Sequence, residues 1–237
     1  MVRQPCLDLL AHMRPKKMIK PLYGVYGASG FGREVMPLAR EWLRKQGIAV
    51  DRLVFIDDGV ETVELINGHR VLSYAAFLTE NASERYVNIA IANSHIREKI
   101  ETRLRADHVL DWSIHADNCV IMDAVQIGCG SILSPFVTLT SNIRIGKYFH
   151  ANIYSYIAHD CVIGDFVTFA PSVRCNGNIV IEDHAYIGTG AVLKQGTPDK
   201  PLVIGRGAVV GMGAVVTKNV AAGETVVGNP AKPLVRS

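Results

Sequence analysis

The chain has 237 residues, 49% of them apolar and 20% charged, with a formal net charge of +3. That length and composition describe a globular protein with room for two packed units, and they exclude a disordered polymer. Basic and acidic residues are interspersed, so no nucleic-acid arm or membrane patch is encoded, and no apolar run reaches the ~20 residues of a membrane-spanning helix.

Residues 1–20 read as an N-terminal extension, with Met18 an alternative start. Their one apolar patch, Leu7 to Ala11, is too short for a signal peptide. Five cysteines in odd number and without a C-x-x-C pair indicate neither a disulfide framework nor a zinc site, which suits a reducing cytoplasm.

From 21 to 110 the pattern is β-α-β-α-β-α. "LYGVY" predicts a strand, Gly32 to Lys45 a helix, "LVFIDD" a strand ending in acid, "SYAAFL" a short helix and "YVNIAIA" a third strand. Ser94 is placed to cap a helix running to about Arg105. This alternation implies a small, Rossmann-like parallel sheet covered by helices, which binds ligands at the carboxyl ends of its strands. "GASGFGRE" follows a strand and opens a helix, a natural anion seat. The spacing of Gly27, Gly30 and Gly32 departs from the G-x-G-x-x-G dinucleotide fingerprint, and a tight turn alone would also call for glycine.

From 111 to 237 the period becomes six. Every sixth position from Ile121 to Leu193 is apolar, and a small or β-branched residue such as Val125, Ser131, Val137, Val173 or Ala191 commonly sits four places further on. Three hexapeptides per coil make a triangular β-solenoid. The register breaks after Leu193, where "QGTPDKPLV" must leave the scaffold as a loop. His159 and Asp160 fall at the third and fourth places of their hexapeptide, an outward-facing corner. A neutral imidazole there can accept a proton at pH 7, and Asp160 can fix its tautomer. His115, His150 and His184 read as structural or solvated.

Together, "GVYGASGFGREV", "FIDD", "IAHDCVIGDFVTFAP" and "VVGNPAKPL" resemble the hexapeptide-repeat sugar acyltransferases of the bacillosamine and perosamine N-acetyltransferase and sialic acid O-acetyltransferase type. The resemblance spans Leu22 to Leu234 and implies a left-handed parallel β-helix. It also implies a homotrimer with active sites between subunits, acetyl-CoA as co-substrate and no metal. It makes His159 the catalytic base with Asp160 as helper and puts Asn152 near acceptor or base. Gly27, Ser29, Gly30, Gly32, Asp57, Asp58 and Asn93 would hold the nucleotide of a nucleotide-linked amino sugar. Gly177, one coil above His159, would serve the thioester, Lys194 and its loop the coenzyme phosphates, and Thr168 would stand where many members carry a second histidine. The implied activity is N-acetylation of the 4-amine of a UDP-linked 2-acetamido-4-amino-2,4,6-trideoxyhexose; a sugar O-acetyltransferase or a non-catalytic nucleotide-sugar-binding protein are the alternatives. A zinc carbonic anhydrase on the same solenoid would need a close histidine pair, which 145 to 190 lacks.

Overall fold

The computed structural model describes residues 20–59 and 64–235, so the expected extension lies outside them apart from Lys20. The first unit is a six-stranded sheet in the order β3-β4-β2-β1-β5-β6. Strand β1 (Leu22–Tyr26) is buried along its whole length between β2 (Leu53–Ile56) and β5 (Arg85–Ile89), both parallel to it. A continuous apolar run is what a strand covered on both faces requires. Helix α1 (Gly30–Lys45) covers one face by burying Val35, Met36, Ala39 and Leu43, an i, i+1, i+4, i+8 stripe.

Sequence spacing missed the β3 (Glu64–Ile66) and β4 (His69–Leu72) hairpin. Its turn is Asn67–Gly68 with both residues at positive φ, so an Asn-Gly pair was the available signal. Helix α2 (Tyr74–Thr79) is capped by the Ser73 hydroxyl. Helix α3 (Ser94–Ala106) is capped by Asn93, not Ser94: the Asn93 Oδ1 accepts from the amides of His95 and Ile96 at 3.1 Å each. A short Asx side chain one place earlier reaches the second and third free amides, which a residue already in the helix cannot do. Strand β6 (Leu110–Asp111) closes the sheet.

The second unit is a prism with three parallel faces, the left-handed β-helix expected. The first face runs through Ile132–Leu133, His150–Ala151, Thr168–Phe169 and Tyr186–Ile187; the second through Thr138–Leu139, Tyr156–Ile157, Arg174–Cys175 and Val192–Leu193; the third through Ile143–Ile145, Val162–Ile163 and Ile179–Ile181. Leu139, Ile157, Cys175 and Leu193 stack in register. Their buried side chains, with the small inward residues Val137, Val173 and Ala191, form one core along the axis. Corners turn through left-handed backbone at Asn142, Asp160 and Asn178 between second and third faces, at Phe136, Tyr154 and Ser172 between first and second, and at Tyr148, Phe166 and His184 between third and first. Leu193 pairs with Val216 rather than with a residue 18 further on, so the coil carries an insertion where the loop was expected.

The units pack closely. Ile114 and Ile132 join the core beneath α1, while Tyr148 and Phe166 join the core beneath α3. Asn88, fully buried on β5, donates to the Trp112 carbonyl at 2.7 Å. Among the described residues no helix is long and apolar enough to cross a membrane.

Candidate active site

Asp160 has φ +57, and this left-handed corner folds its side chain back on its neighbour, so that the His159 Nδ1 lies 2.7 Å from the Asp160 Oδ2. Adjacent side chains on an extended strand would point apart; the corner is what joins them. The hydrogen bond from His159, aided by the Asn142 side-chain amide at 3.2 Å, holds the Asp160 carboxyl below the usual carboxylate range. Such a carboxylate orients the ring with Nδ1 as donor and leaves Nε2 to accept a proton. Both side chains remain about half exposed.

One coil above, the imidazole lies over the Cα of Gly177. A Cβ at this position would stand 2.5 Å from the His159 Cε1 and 2.6 Å from Nε2. The Gly177 φ is not positive, so the absent side chain serves this ring contact rather than a backbone turn. The Asn178 amide donates to the His159 carbonyl and the Gly196 amide to the Gly177 carbonyl, which strings His159, Gly177 and the inserted loop along one corner. At the top of that column a cleft of about 630 Å³ is lined by Lys194, Thr197, Lys200 and Lys218 among others. Two coils at about 4.8 Å each separate it from His159.

The expected nucleotide residues gather at the carboxyl edge of the first sheet. Gly27 is needed by the turn, with φ +107, and a Cβ on Gly32 would lie 1.8 Å from the Gly27 carbonyl oxygen. Gly30 has neither constraint: its missing side chain faces open space at the start of α1, whose first turn carries no acid. Ser29 precedes α1 without capping it by its side chain, so its hydroxyl is available. Asp57 braces the loop by accepting from the Ala28 amide at 3.1 Å and the Gly59 amide at 3.0 Å.

Asp58 is occupied differently from the expectation. Its carboxylate accepts from the Tyr26 hydroxyl at 2.6 Å, Arg103 at 2.9 Å and the Tyr74 amide at 3.3 Å. Burial alone would raise its pKa, but these three donors pull it below the usual value. Its oxygens thus tie β1, α2 and α3 together. Asn93 spends its oxygen on the α3 cap and keeps its amide NH2 free.

Thr168 does not stand with Gly177 and Lys194. It lies on the first face, buried, where its hydroxyl accepts from the Arg97 Nη2 at 3.0 Å. Sequence reasoning missed Arg97, because a charged residue in a polar helix reads as solvated. It is fully buried, and donates to the Ile91 carbonyl at 2.7 Å, the Ala92 carbonyl at 3.2 Å and the Phe166 carbonyl at 2.6 Å. Burial depresses its pKa, yet four oxygen acceptors keep the guanidinium charged. Arg97 therefore fixes the 91–92 loop against the prism.

Beside this clamp a cleft of about 210 Å³ opens between α1 and the first face, lined by Phe31, Glu34, Ala92, His150, Asn152 and Thr168, among others. Asn152 sits here and not beside His159, which occupies a different corner of the same chain. His150, expected to be structural or solvated, is fully buried with neither ring nitrogen hydrogen-bonded and packs on Phe31 with centroids 5.3 Å apart. Burial, and then the nearby Arg97 charge, push its pKa well below the ordinary value. His115 is half-buried against the Ser131 hydroxyl at 2.8 Å.

Residues 24–104 match the PglD N-terminal domain family. A GDP-perosamine N-acetyltransferase of Escherichia coli O157:H7 is 51% identical over 91% of this chain and 97% of its own length. The structure of WeeI from Acinetobacter baumannii AYE superposes with a TM-score of 0.88 at 61% identity, covering 91% of this chain and all of that one. The acetyltransferase domain of PglB from Neisseria gonorrhoeae FA1090, in complex with acetyl coenzyme A, gives 0.79 at 28% identity, again over 91% and 100%.

Proposed function

The chain belongs to the hexapeptide-repeat sugar acyltransferases, and on that premise we propose that it transfers the acetyl group of acetyl-CoA to the amine of a nucleotide-linked amino sugar, with His159 as general base. The observation that carries the reading is the column of His159–Asp160, Gly177 and the lysine-lined cleft on one corner of the prism.

Acetyl-CoA lies along this column. Lys194, Lys200 and Lys218 supply positive charge for its phosphates, and the thioester sits near Gly177, whose backbone amide serves as donor to the developing oxyanion in this proposal. The neutral sugar amine attacks the thioester carbonyl carbon as the His159 Nε2 takes up the amine proton. The tetrahedral adduct then collapses, the C–S bond breaks, and the thiolate leaves with the proton that His159 returns. Asp160 stabilises the imidazolium between the two events. No acyl-enzyme forms.

The acceptor is held on the other unit. Its phosphates meet the first-turn amides of α1 beside Gly30, with Gly27, Ser29 and Gly32 framing the turn and Asp57 holding it. Asn93 and Ala92 flank the nucleoside, and the sugar points into the cleft holding Asn152 and Thr168. Because that cleft and His159 occupy different corners of one chain, a second copy must bring its His159 to the first chain's acceptor cleft. Exposed apolar residues beside Asn152 fit such an interface: Phe136 and Tyr154 stack at 4.9 Å with Ile153 alongside. A closed trimer of three equivalent grooves satisfies this head-to-tail contact.

The acceptor proposed is the 4-amine of a UDP-linked 2-acetamido-4-amino-2,4,6-trideoxyhexose. The name of the 51% identical relative makes GDP-perosamine the second reading. Steady-state rates with acetyl-CoA against both sugars test the two together. N-acetylated UDP-sugar supports the first and N-acetylated GDP-perosamine the second; an O-acetylated product, or binding without turnover, overturns both.

A further inference from the structure

His95 and Glu98 occupy the first turns of α3 three residues apart, so both side chains leave the helix on one side. His184 meets them from the corner between third and first faces of the prism. The His95 and His184 rings lie 4.5 Å apart, the His184 Nε2 is 3.6 Å from the Glu98 Oε2, and one donor atom from each of the three residues falls within 4.8 Å of the other two. Among the described residues Glu98 pairs with no lysine or arginine, so the carboxylate's only partner there is an imidazole. We infer that His95, Glu98 and His184 form a binding site for a zinc-type divalent cation that clips α3 to the prism.

The donor set suits the chemistry. Two imidazoles and one carboxylate are a common zinc ligand set, leaving a fourth position to water. A metal held at 2.0–2.2 Å draws tetrahedral donors to about 3.4 Å from one another. Side-chain rotation supplies the closure, because His95 and Glu98 are at the surface. His184 is the fixed member: its ring continues the stack of Tyr148 and Phe166, with 5.4 Å and 5.3 Å between centroids, and only about a tenth of its side chain is exposed. A cation here would join residues nearly ninety positions apart in sequence, across the junction of the two units.

The site lies away from the corner of His159, so it does not enter the acyl-transfer chemistry. It acts instead on the helix that begins at the Asn93 cap and carries the Arg97 clamp. Metal bound here stiffens the loop Ile91–Asn93 against the prism.

Isothermal titration of the full-length, chelator-treated chain with Zn2+ tests this, with Co2+ visible absorption as an independent report of ligand type. One ion per chain is expected, with a rise in Tm on Zn2+ addition. His184→Asn suits the left-handed backbone at φ +63, and His95→Ala lies on an exposed helix turn, so both variants keep the fold. Each should weaken Zn2+ by more than the roughly 10- to 100-fold that loss of an outer-shell partner costs and abolish the Tm rise. Absence of stoichiometric binding in the wild type, or Zn2+ affinity unchanged in the double variant, overturns the site. Neither result bears on His159 as the general base.

Discussion

Gly177→Ala tests the column at its tightest point. The new methyl would lie 2.5 Å from the His159 Cε1 and 2.6 Å from Nε2, whereas unstrained carbon contacts need about 3.5 Å, so the ring must retreat by about 1 Å. Backbone strain adds little, because the Gly177 φ is not positive. The ring is half exposed and can swing into solvent, so little stability is lost and Tm should stay within about 2–4 °C of wild type. A base displaced by about 1 Å can lose on the order of a hundredfold in rate, which is about 2.7 kcal/mol of transition-state stabilisation. Initial rates at saturating acetyl-CoA and acceptor, with a thermal melt on the same preparation, measure both. In a His159→Ala background the same change should add almost nothing, since the group it displaces is gone. Wild-type kcat for Gly177→Ala, or full additivity of the two substitutions, would refute the claim that this glycine works by admitting the imidazole.

His159→Ala should abolish nearly all turnover while leaving CoA affinity and assembly intact, as measured by titration calorimetry and light scattering. Asp160→Asn should lower kcat with little change in KM, because it removes the charge that stabilises the imidazolium and offers Nδ1 an NH2 donor that favours the wrong tautomer, but removes no substrate contact. Arg97→Ala leaves the Phe166, Ile91 and Ala92 carbonyls and the Thr168 hydroxyl without their donor and should cost roughly 1–3 kcal/mol in denaturant unfolding. His150 is held neutral by burial, so the unfolded chain binds its proton first as pH falls below about 6.5; that makes stability fall with acid, at up to about 1.4 kcal/mol per pH unit. His150→Leu should flatten the decline between pH 6.5 and 5 in urea titrations, and an unchanged slope would show that this imidazole is not the source. Glutamate in place of Lys194 and Lys218 together should raise the KM for acetyl-CoA and weaken its dependence on salt, leaving kcat nearly unchanged.

The amino-acid order determined the prism, its register as far as Leu193, the loop that interrupts it there and the corner position of His159. In a solenoid each coil rests on the one before, so the inward residues repeat at a fixed short interval and the architecture is written locally. The strand-turn-helix at "GASGFGRE" is local in the same way: Gly27 answers to a turn at positive φ and Gly32 to the Gly27 carbonyl five residues before it. What the order of residues did not reveal was everything made by long chain separations. Arg97 reaches Thr168 across 71 residues, and Asp58 reaches Arg103 across 45. Neither pairing leaves a periodic mark. His150 and His184 looked alike as polar interruptions of a repeat. Only the docking of α1 and α3 onto the prism buried one against Phe31 and set the other beside His95 and Glu98. The turning of the coil separated Thr168 and Asn152 from the His159 column, because successive hexapeptides face directions about a third of a turn apart and neighbours in sequence become strangers in space.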